Sequence, residues 1–449
     1  MGTALSGRRA NWAGNIVYRA SELAQPADLA GLQAVVREHA QVRAVGTGHS
    51  FNRIADTPGV LVSLAGLPAE ISIDAERAAV TVPGGITYQE LAPRLNAAGW
   101  ALRTLASLPH LTVAGACATA THGSGDSNGN LATQVSGMQL VGPGGELRTL
   151  GRDADGERFR GAVVGLGGLG IVAALTLDLV PAFEVQQYVY QGLPAAMLGS
   201  HFDEIFGSAY SVSVFTDWQG TRHSQVWVKQ RAGGGGSWQP EPRWMDATLA
   251  DRPLHPIPGQ PAEHTTTQLG VPGPWHERLP HFRGEFTPSA GAELQSEYLL
   301  PRQRAAGAFD ALASLASLLK PVLQICEIRT VAPDDLWLSP AYQQDTVALH
   351  FTWIKDTAAV TPVIAAIEQL LAPLGARPHW AKLFAVPPHA VRALYPRSAA
   401  FADLLHSADP AGKFRNRFLD KYFPVLARGG DPPEPPDRRS APGGGKPPR

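Results

Sequence analysis

Val45-Gly46-Thr47-Gly48-His49-Ser50-Phe51-Asn52 follows directly on a short β-like run at residues 41–44, and its reading decides how the remaining chain is understood. Glycines at Gly46 and Gly48 let the backbone take positive φ and come close to a bound group. Successive amide N–H groups in such a turn form an anion-binding nest, which suits a phosphate. His49 then offers a nucleophilic imidazole at the mouth of the nest. Taken alone, the pattern reads first as a β-turn carrying a solvated histidine, since glycine-rich turns are common punctuation.

The flanks give the loop a setting. Upstream, Leu29, Leu32, Val35 and Val36 form one apolar helix face within residues 26–39, with Pro26 near the first turn. Downstream, Val60-Leu61-Val62-Ser63-Leu64 reads as a buried strand, so the loop sits inside a β-α-β unit. Residues 71–73 and 79–82 alternate around residues 74–77 as a hairpin would. Thr87-x-x-Glu90 is a capping box opening a helix through Leu91 and Leu95, which ends at Gly99. From Ala106 to Gly125 small residues and hydroxyls dominate, with hardly a bulky side chain after Val113. Such a segment is either the floor under a large ligand or a small-residue strand or helix packed tightly on a neighbour.

Gly165-Leu166-Gly167-Gly168-Leu169-Gly170 matches the dinucleotide fingerprint, but that motif needs a helix after the third glycine and an acidic residue about 20 positions later. Residues 171–180 are apolar and partly β-branched, and Pro181 closes them, so they read as a strand after a glycine turn. Beyond Pro181 the texture changes. Residues 188–190, 211–216 and 225–229 look like antiparallel strands carrying aromatics, and a second domain is expected. Residues 233–236 and 239–261 read as long loops, and helical texture returns at 304–319 and 360–371.

Three strand-like segments in this second half carry polar cargo. Alternation puts Glu327 and Arg329 on one face of residues 322–330, and His350 and Thr352 on one face of residues 347–353. A third segment, residues 379–384, adds Lys382 between apolar and aromatic neighbours. Any one of them fits an antiparallel sheet with a wet face. Three together imply more, because charges on apolar strands are costly unless paired or functional, and Glu327 can pair with Arg329.

Bulk properties narrow the function classes. The 449 residues suggest two or three domains, with 44% hydrophobic residues, 17% charged and a net charge of −1. No polybasic run exists to hold nucleic acid or an anionic membrane, so a neutral small molecule is the natural partner. The apolar runs are read as too short for a membrane span, and Arg8-Arg9 is followed by Asn11-Trp12, not by a secretory h-region. Cys117 and Cys326 are expected to be buried thiols in a cytosolic protein, and no metal is expected. The nucleophile elbow and the P-loop lysine are both missing. The Pro-, Gly- and Arg-rich residues 428–449 read as a disordered tail.

Asn11-Trp12-Ala13-Gly14-Asn15, Gly48-His49-Ser50-Phe51-Asn52, Leu64-Ala65-Gly66-Leu67-Pro68, Ser107-Leu108-Pro109-His110, Thr121-His122-Gly123-Ser124-Gly125, Gln295-Ser296-Glu297-Tyr298, Glu327-Ile328-Arg329-Thr330 and His379-Trp380-Ala381-Lys382-Leu383-Phe384 span nearly the whole chain. Together they resemble the covalent flavoprotein oxidases of the vanillyl-alcohol-oxidase type, in particular the alditol (xylitol) oxidase branch, with aldonolactone oxidases as wider relatives. The resemblance implies an α+β fold: a two-subdomain FAD-binding module of the PCMH type over residues 11–182, and a substrate-binding α+β domain with an antiparallel sheet over 183–375. A segment at 376–427 would return to the FAD domain.

By the same resemblance, FAD is held covalently through His49, with Val45, Gly46, Thr47, Gly48, Ser50, Phe51 and Asn52 around the pyrophosphate. Ser107, Thr112, Gly115, Thr119, Ala120, Thr121 and His122 would line the cofactor, with Ile171 on the adenine side and His379 near the isoalloxazine. Glu327, Arg329, Thr352 and Lys382 would contact substrate, joined by Ser107, Gln295 and His350. The implied activity is oxidation of the primary alcohol of an alditol to an aldose, with dioxygen reduced to hydrogen peroxide, by a cytoplasmic monomer. Lys382 would accept or steer the hydroxyl proton, and Arg329, oriented by Glu327, would stabilise the alkoxide. His350 would assist. A sugar-1,4-lactone oxidase or dehydrogenase, and a flavin-binding protein without turnover, remain as alternatives.

Overall fold

The computed structural model describes residues 3–4, 9–233, 238–284 and 292–424. The expected tail at 428–449, and residues 234–236 of the glycine-rich loop, lie outside them. Around the opening loop a small sheet runs in the order Thr3–Ala4, Glu22–Ala24, Val60–Val62, Val42–Ala44. Val60–Val62 pairs in parallel with both of its neighbours. Parallel pairing needs a crossover: the helix Leu29–Glu38 lies in the one from Glu22–Ala24, and residues 45–59, with the opening loop, form the one from Val42–Ala44. Asp28 caps that helix by accepting the Gly31 N–H, and Leu32 and Val36 bury its inner face.

A second, antiparallel sheet has the order Ser72–Asp74, Ala79–Pro83, Ile171–Asp178, Val135–Val141, Leu147–Gly151. The hairpin read from residues 71–82 forms its edge. Ile171–Asp178 takes the place a dinucleotide-binding helix would need, and the preceding glycines make a turn with positive φ at Gly167 and Gly170. The helix Tyr88–Ala97 starts on a complete capping box: the Glu90 N–H donates to Thr87 Oγ1 at 3.2 Å, and the Thr87 N–H donates to the Glu90 carboxylate at 2.9 Å. Helices from the C-terminal segment bury Val391, Phe401, Leu405 and Leu419 in the same core as this sheet.

The largest sheet is built mostly from residues after 183. Its central order is Glu184–Pro194, Arg222–Arg231, Ser211–Thr216, Leu323–Val331, Thr346–Ile354, Glu293–Pro301, Arg377–Pro378. Side-chain alternation divides the work between its two faces. Leu294, Tyr298, Ile328, Leu349, Phe351 and Trp353 join the helices Ala305–Ser314 and Thr357–Leu371 in one apolar core. Their neighbours in sequence, among them Gln295, Glu297, Glu327, Arg329, His350 and Thr352, face a cavity.

The helical texture at 304–319 stands, as the two helices Ala305–Ser314 and Ala316–Leu319. Three sequence expectations need correction here. Residues 379–384 are not a strand: only Arg377–Pro378 pairs, and the chain then turns, with the Lys382 N–H donating to the His379 carbonyl. Gly48 has the expected positive φ, whereas Gly46 serves close approach, since a Cβ there would collide with Thr112. Residues 357–374 are long and apolar enough to cross a membrane, with a mean hydropathy of 1.5. Val360, Val363, Ile364, Ile367 and Leu371 of that stretch are buried against the large sheet.

Arg43 ties the first sheet to the glycine turn and to the C-terminal segment. Its buried guanidinium donates to the carbonyls of Leu166 and Gly167 at 2.8 and 2.9 Å, of Phe414 at 2.8 Å, and of Ile54. Arg43→Met leaves these oxygens without donors and should cost about 2–4 kcal/mol of unfolding free energy. The loss is read as a lower urea midpoint at unchanged slope; an unchanged midpoint would refute the role.

Candidate active site

One cavity of about 900 Å³ is lined by residues from each of the sheets described above. Val45, Gly46, Thr47, Gly48, His49 and Ser50 lie along it, with Ser107, Thr112, Gly115, Thr119, Thr121 and His122 on the small-residue segment. That segment is the short helix Val113–Ala118 and the loop after it, so both readings of it hold: it packs closely and it lines the cavity. On the opposite wall stand Gln295, Glu297, Glu327, Arg329, His350, Thr352, His379 and Lys382.

Strand register builds this wall. Glu297 and Glu327 lie directly across from His350 on either side, and Gln295 lies across from Thr352. Arg329 pairs across with the small Ala348, which leaves room for its guanidinium to reach over to Glu297. Arg329 Nη2 donates to Glu297 Oε1 at 2.6 Å, and Lys382 Nζ donates to Glu297 Oε2 at 2.7 Å. His122 Nε2 stands 3.1 Å from Glu297 Oε1, outside hydrogen-bond alignment. Burial alone would raise the Glu297 pKa, but the charges of Lys382, His122 and Arg329 hold it well below the carboxylate range.

Glu297 is therefore the hub that the sequence reading missed as a functional residue. The expected pairing of Glu327 with Arg329 is secondary, at 3.6 Å from Arg329 Nε. The closer partner of Glu327 is His281, whose Nε2 lies 2.7 Å from Oε1. Burial opposes ionisation of Glu327 as well, yet Arg329 and His281 depress its pKa strongly. Lys382 lies below the ordinary lysine value: burial and the Arg329 charge lower it, and Glu297 works the other way. Burial and then Lys382 push His350 well down, and its Nε2 lies 3.2 Å from Gln295 Oε1. Arg329 also reaches Ser107 Oγ, at 3.4 Å.

The opening loop and this wall are stitched together. The Phe51 N–H donates to the Ala381 carbonyl at 2.7 Å, and Asn52 Nδ2 donates to the carbonyls of Trp380 and Lys382, both at 2.8 Å. Phe51 and Asn52 thus hold the loop in place from behind and do not line the cavity. Ala120 and Ile171 are also buried outside the cavity lining, although Gly170 and Val172 contribute to it. His255 and Ile257 from the long loop at 239–261 line the cavity too, as do His264, His281 and Phe282 after it.

The residues present fit an FAD group. His49 stacks on Trp12 with ring centroids 4.2 Å apart, and its Nδ1 lies 3.3 Å from His110 Nε2. Its Nε2 is buried without a hydrogen-bond partner. Burial, then His110 and Lys382, drive the His49 pKa well down, so the ring is a neutral nucleophile. Gly84 and Gly85 line the same end, and a Cβ on either would strike neighbouring backbone. Among the described residues no cluster of His, Cys, Asp or Glu is arranged to hold a metal ion.

Glu297→Gln removes the one carboxylate shared by both site cations. It should cost about 3–5 kcal/mol at neutral pH, the scale for breaking a buried ion pair. Because the folded pKa is depressed, this contribution is fully present above the unfolded carboxylate value of about 4.3 and fades as pH falls toward the folded value. Denaturation of both proteins across pH checks it; a difference that grows on acidification would refute it.

Comparison with known proteins places this geometry. Residues 20–151 match a family model described as an FAD binding domain, and residues 292–422 match one described as D-arabinono-1,4-lactone oxidase. An alditol oxidase from Streptomyces is 52% identical over 414 residues, covering 91% of this chain and 97% of the relative. An L-gulono-1,4-lactone dehydrogenase from Mycobacterium tuberculosis is 28% identical, covering 92% and 98%. A crystal structure of cholesterol oxidase from B. sterolicum superposes with a TM-score of 0.73 at 14% identity, over 93% of this chain and 96% of that one, which is a likeness of fold. The chain belongs to the FAD-dependent oxidase family that includes the Streptomyces alditol oxidase.

Proposed function

We propose that the protein is a flavin-dependent alditol oxidase acting on a primary alcohol of xylitol or sorbitol type. The balanced reaction is R–CH2OH + O2 → R–CHO + H2O2. One observation carries the reading: Glu297 and Glu327 balance Arg329 and Lys382 on a buried wall that also presents Ser107, Gln295, His350 and Thr352. An uncharged, many-hydroxylated chain needs several hydrogen-bond groups in a dry pocket without excess charge. The 292–422 match favours a second reading, a sugar-1,4-lactone substrate at the same wall.

Bound FAD, attached through His49, supplies the two-electron acceptor, and dioxygen is the final oxidant. Lys382 takes the hydroxyl proton in its neutral form, and Arg329, held by Glu297, stabilises the alkoxide. Ser107, Gln295 and Thr352 seat the remaining hydroxyls, and His350 orders the two carboxylates between which it stands. In this reading residues 11–182 with 376–427 bind FAD, residues 183–375 bind substrate, and the enzyme is a cytoplasmic monomer.

Steady-state assays should give higher kcat/KM for xylitol or sorbitol than for gulono-1,4-lactone, and the reverse order would move the assignment to lactones. Lys382→Met should lower kcat/KM by about 10²–10⁴-fold. A base that must be neutral gives activity rising with pH, through a midpoint below the ordinary lysine value of 10.5. Since Glu297 raises the Lys382 pKa, that limb should move to lower pH in Glu297→Gln. His49→Ala should lose the flavin fluorescence that stays with denatured wild-type protein on a gel; retained fluorescence would overturn the attachment.

A further inference from the structure

Beside Glu327 lies a pair of buried groups without a role in the proposed reaction, Lys229 and His281, of which His281 also lines the cavity. Lys229, on the strand Arg222–Arg231, is 1% exposed and meets no carboxylate directly. Its Nζ is hydrogen-bonded to the carbonyls of Leu279 and Pro280, at 2.5 and 3.1 Å, and to His281 Nδ1 at 3.2 Å. An ammonium has three N–H donors and no acceptor, so these three partners saturate it. His281 Nδ1 must then accept, which leaves the proton on Nε2, and Nε2 faces Glu327 Oε1 at 2.7 Å.

We propose that Lys229 and His281 are positioning residues: the lysine fixes the Nε2–H tautomer of His281, and His281 holds the Glu327 carboxylate in the orientation that receives a substrate hydroxyl. The proposal rests on the polyol reading of the site. Four further features support it. The His281 N–H donates to the Ser107 carbonyl at 3.2 Å, so the same residue steadies a second part of the wall. Phe215 and Trp227 meet the imidazole edge-on at 5.5 and 5.2 Å, which fixes its plane. The charged groups around the ring are Lys229 from one strand and Glu327 and Arg329 from another. Burial first, then the Lys229 charge, holds His281 down at about 4, while burial lowers Lys229 only to about 7, so the shared proton belongs to the lysine.

Glu327 is thereby supported from two sides. Arg329 Nε stands 3.6 Å from Oε1, and His281 Nε2 reaches the same oxygen at 2.7 Å from another element. Oε2 has no partner among the hydrogen bonds and ion pairs of the described residues, so it is the oxygen offered to substrate. Without the lysine nothing requires an acceptor at Nδ1, and His281 can carry its proton there, leaving Nε2 without a donor for Glu327.

The test compares the flavin-loaded wild type with His281→Leu, His281→Gln and Lys229→Met, using xylitol, with flavin content and thermal midpoint recorded for each. His281→Leu should raise KM by about 10- to 100-fold, the scale of a hydrogen bond to a charged group, while kcat changes far less. His281→Gln keeps a donor near the Nε2 position and should recover most of that loss. Lys229→Met should raise KM in the same direction as His281→Leu and by less, because the His281 proton is then free to move to Nδ1. Equal KM in wild type and a folded His281→Leu, or no recovery by His281→Gln at matched flavin content, overturns the proposal. Should the variants fail to fold, nitrogen NMR of histidine-labelled wild type still decides: the Nε2–H tautomer at His281 supports it, and Nδ1–H overturns it. The tautomer is read without turnover, and a wild type inert to xylitol counts against the polyol reading alone.

Discussion

Glu297 must stay ionised while only 1% exposed, and the site is arranged around that requirement. Its two oxygens receive Arg329 and Lys382, with His122 close by, and these groups come from three separate parts of the chain. A buried carboxylate without such partners would take up a proton instead. The demand fixes distant geometry. Residues 379–383 must pass the edge of Glu293–Pro301, which they do through the His379 and Leu383 N–H groups donating to the carbonyls of Glu297 and Gln295. The loop at 45–52 must in turn hold that segment, and it does so through Phe51 and Asn52. His49 and Lys382 are thus carried on one hydrogen-bonded unit.

Much of the fold could be read from local pattern. The capping box at Thr87, the hairpin near Ala79, the strand after Gly170 and the alternation in residues 322–330 and 347–353 are signals whose cause lies within a few residues, and each stands in the structure. Glu293–Pro301 was not recognised as a strand because its alternate positions hold Glu293, Gln295 and Glu297, so it looks solvated although every residue from Glu293 to Leu300 is buried. Residues 379–384 failed in the opposite direction: aromatics beside Lys382 imitate a strand, while the chain turns there to bring the lysine to Glu297.

Partnerships were harder to read than faces. Glu327 and Arg329 are neighbours on one strand face, and proximity in sequence made them look like a pair. In three dimensions each has a stronger partner, Arg329 in Glu297 and Glu327 in His281. Those partners come from a strand disguised by polar residues and from residue 281, which lies in no regular element and has no periodicity to announce it. Period-two spacing tells which residues share a face, but not which side chain reaches it from another element.

The proposed delivery of a polyol by the balanced wall around Glu297 to a flavin held at His49 is tested most directly by anaerobic mixing of the purified yellow protein with excess xylitol, following the flavin absorbance in a single turnover. Complete bleaching is expected, at a rate that saturates with xylitol concentration, with return of the colour when oxygen is admitted. Flavin that stays oxidised through prolonged exposure to xylitol and sorbitol would contradict it.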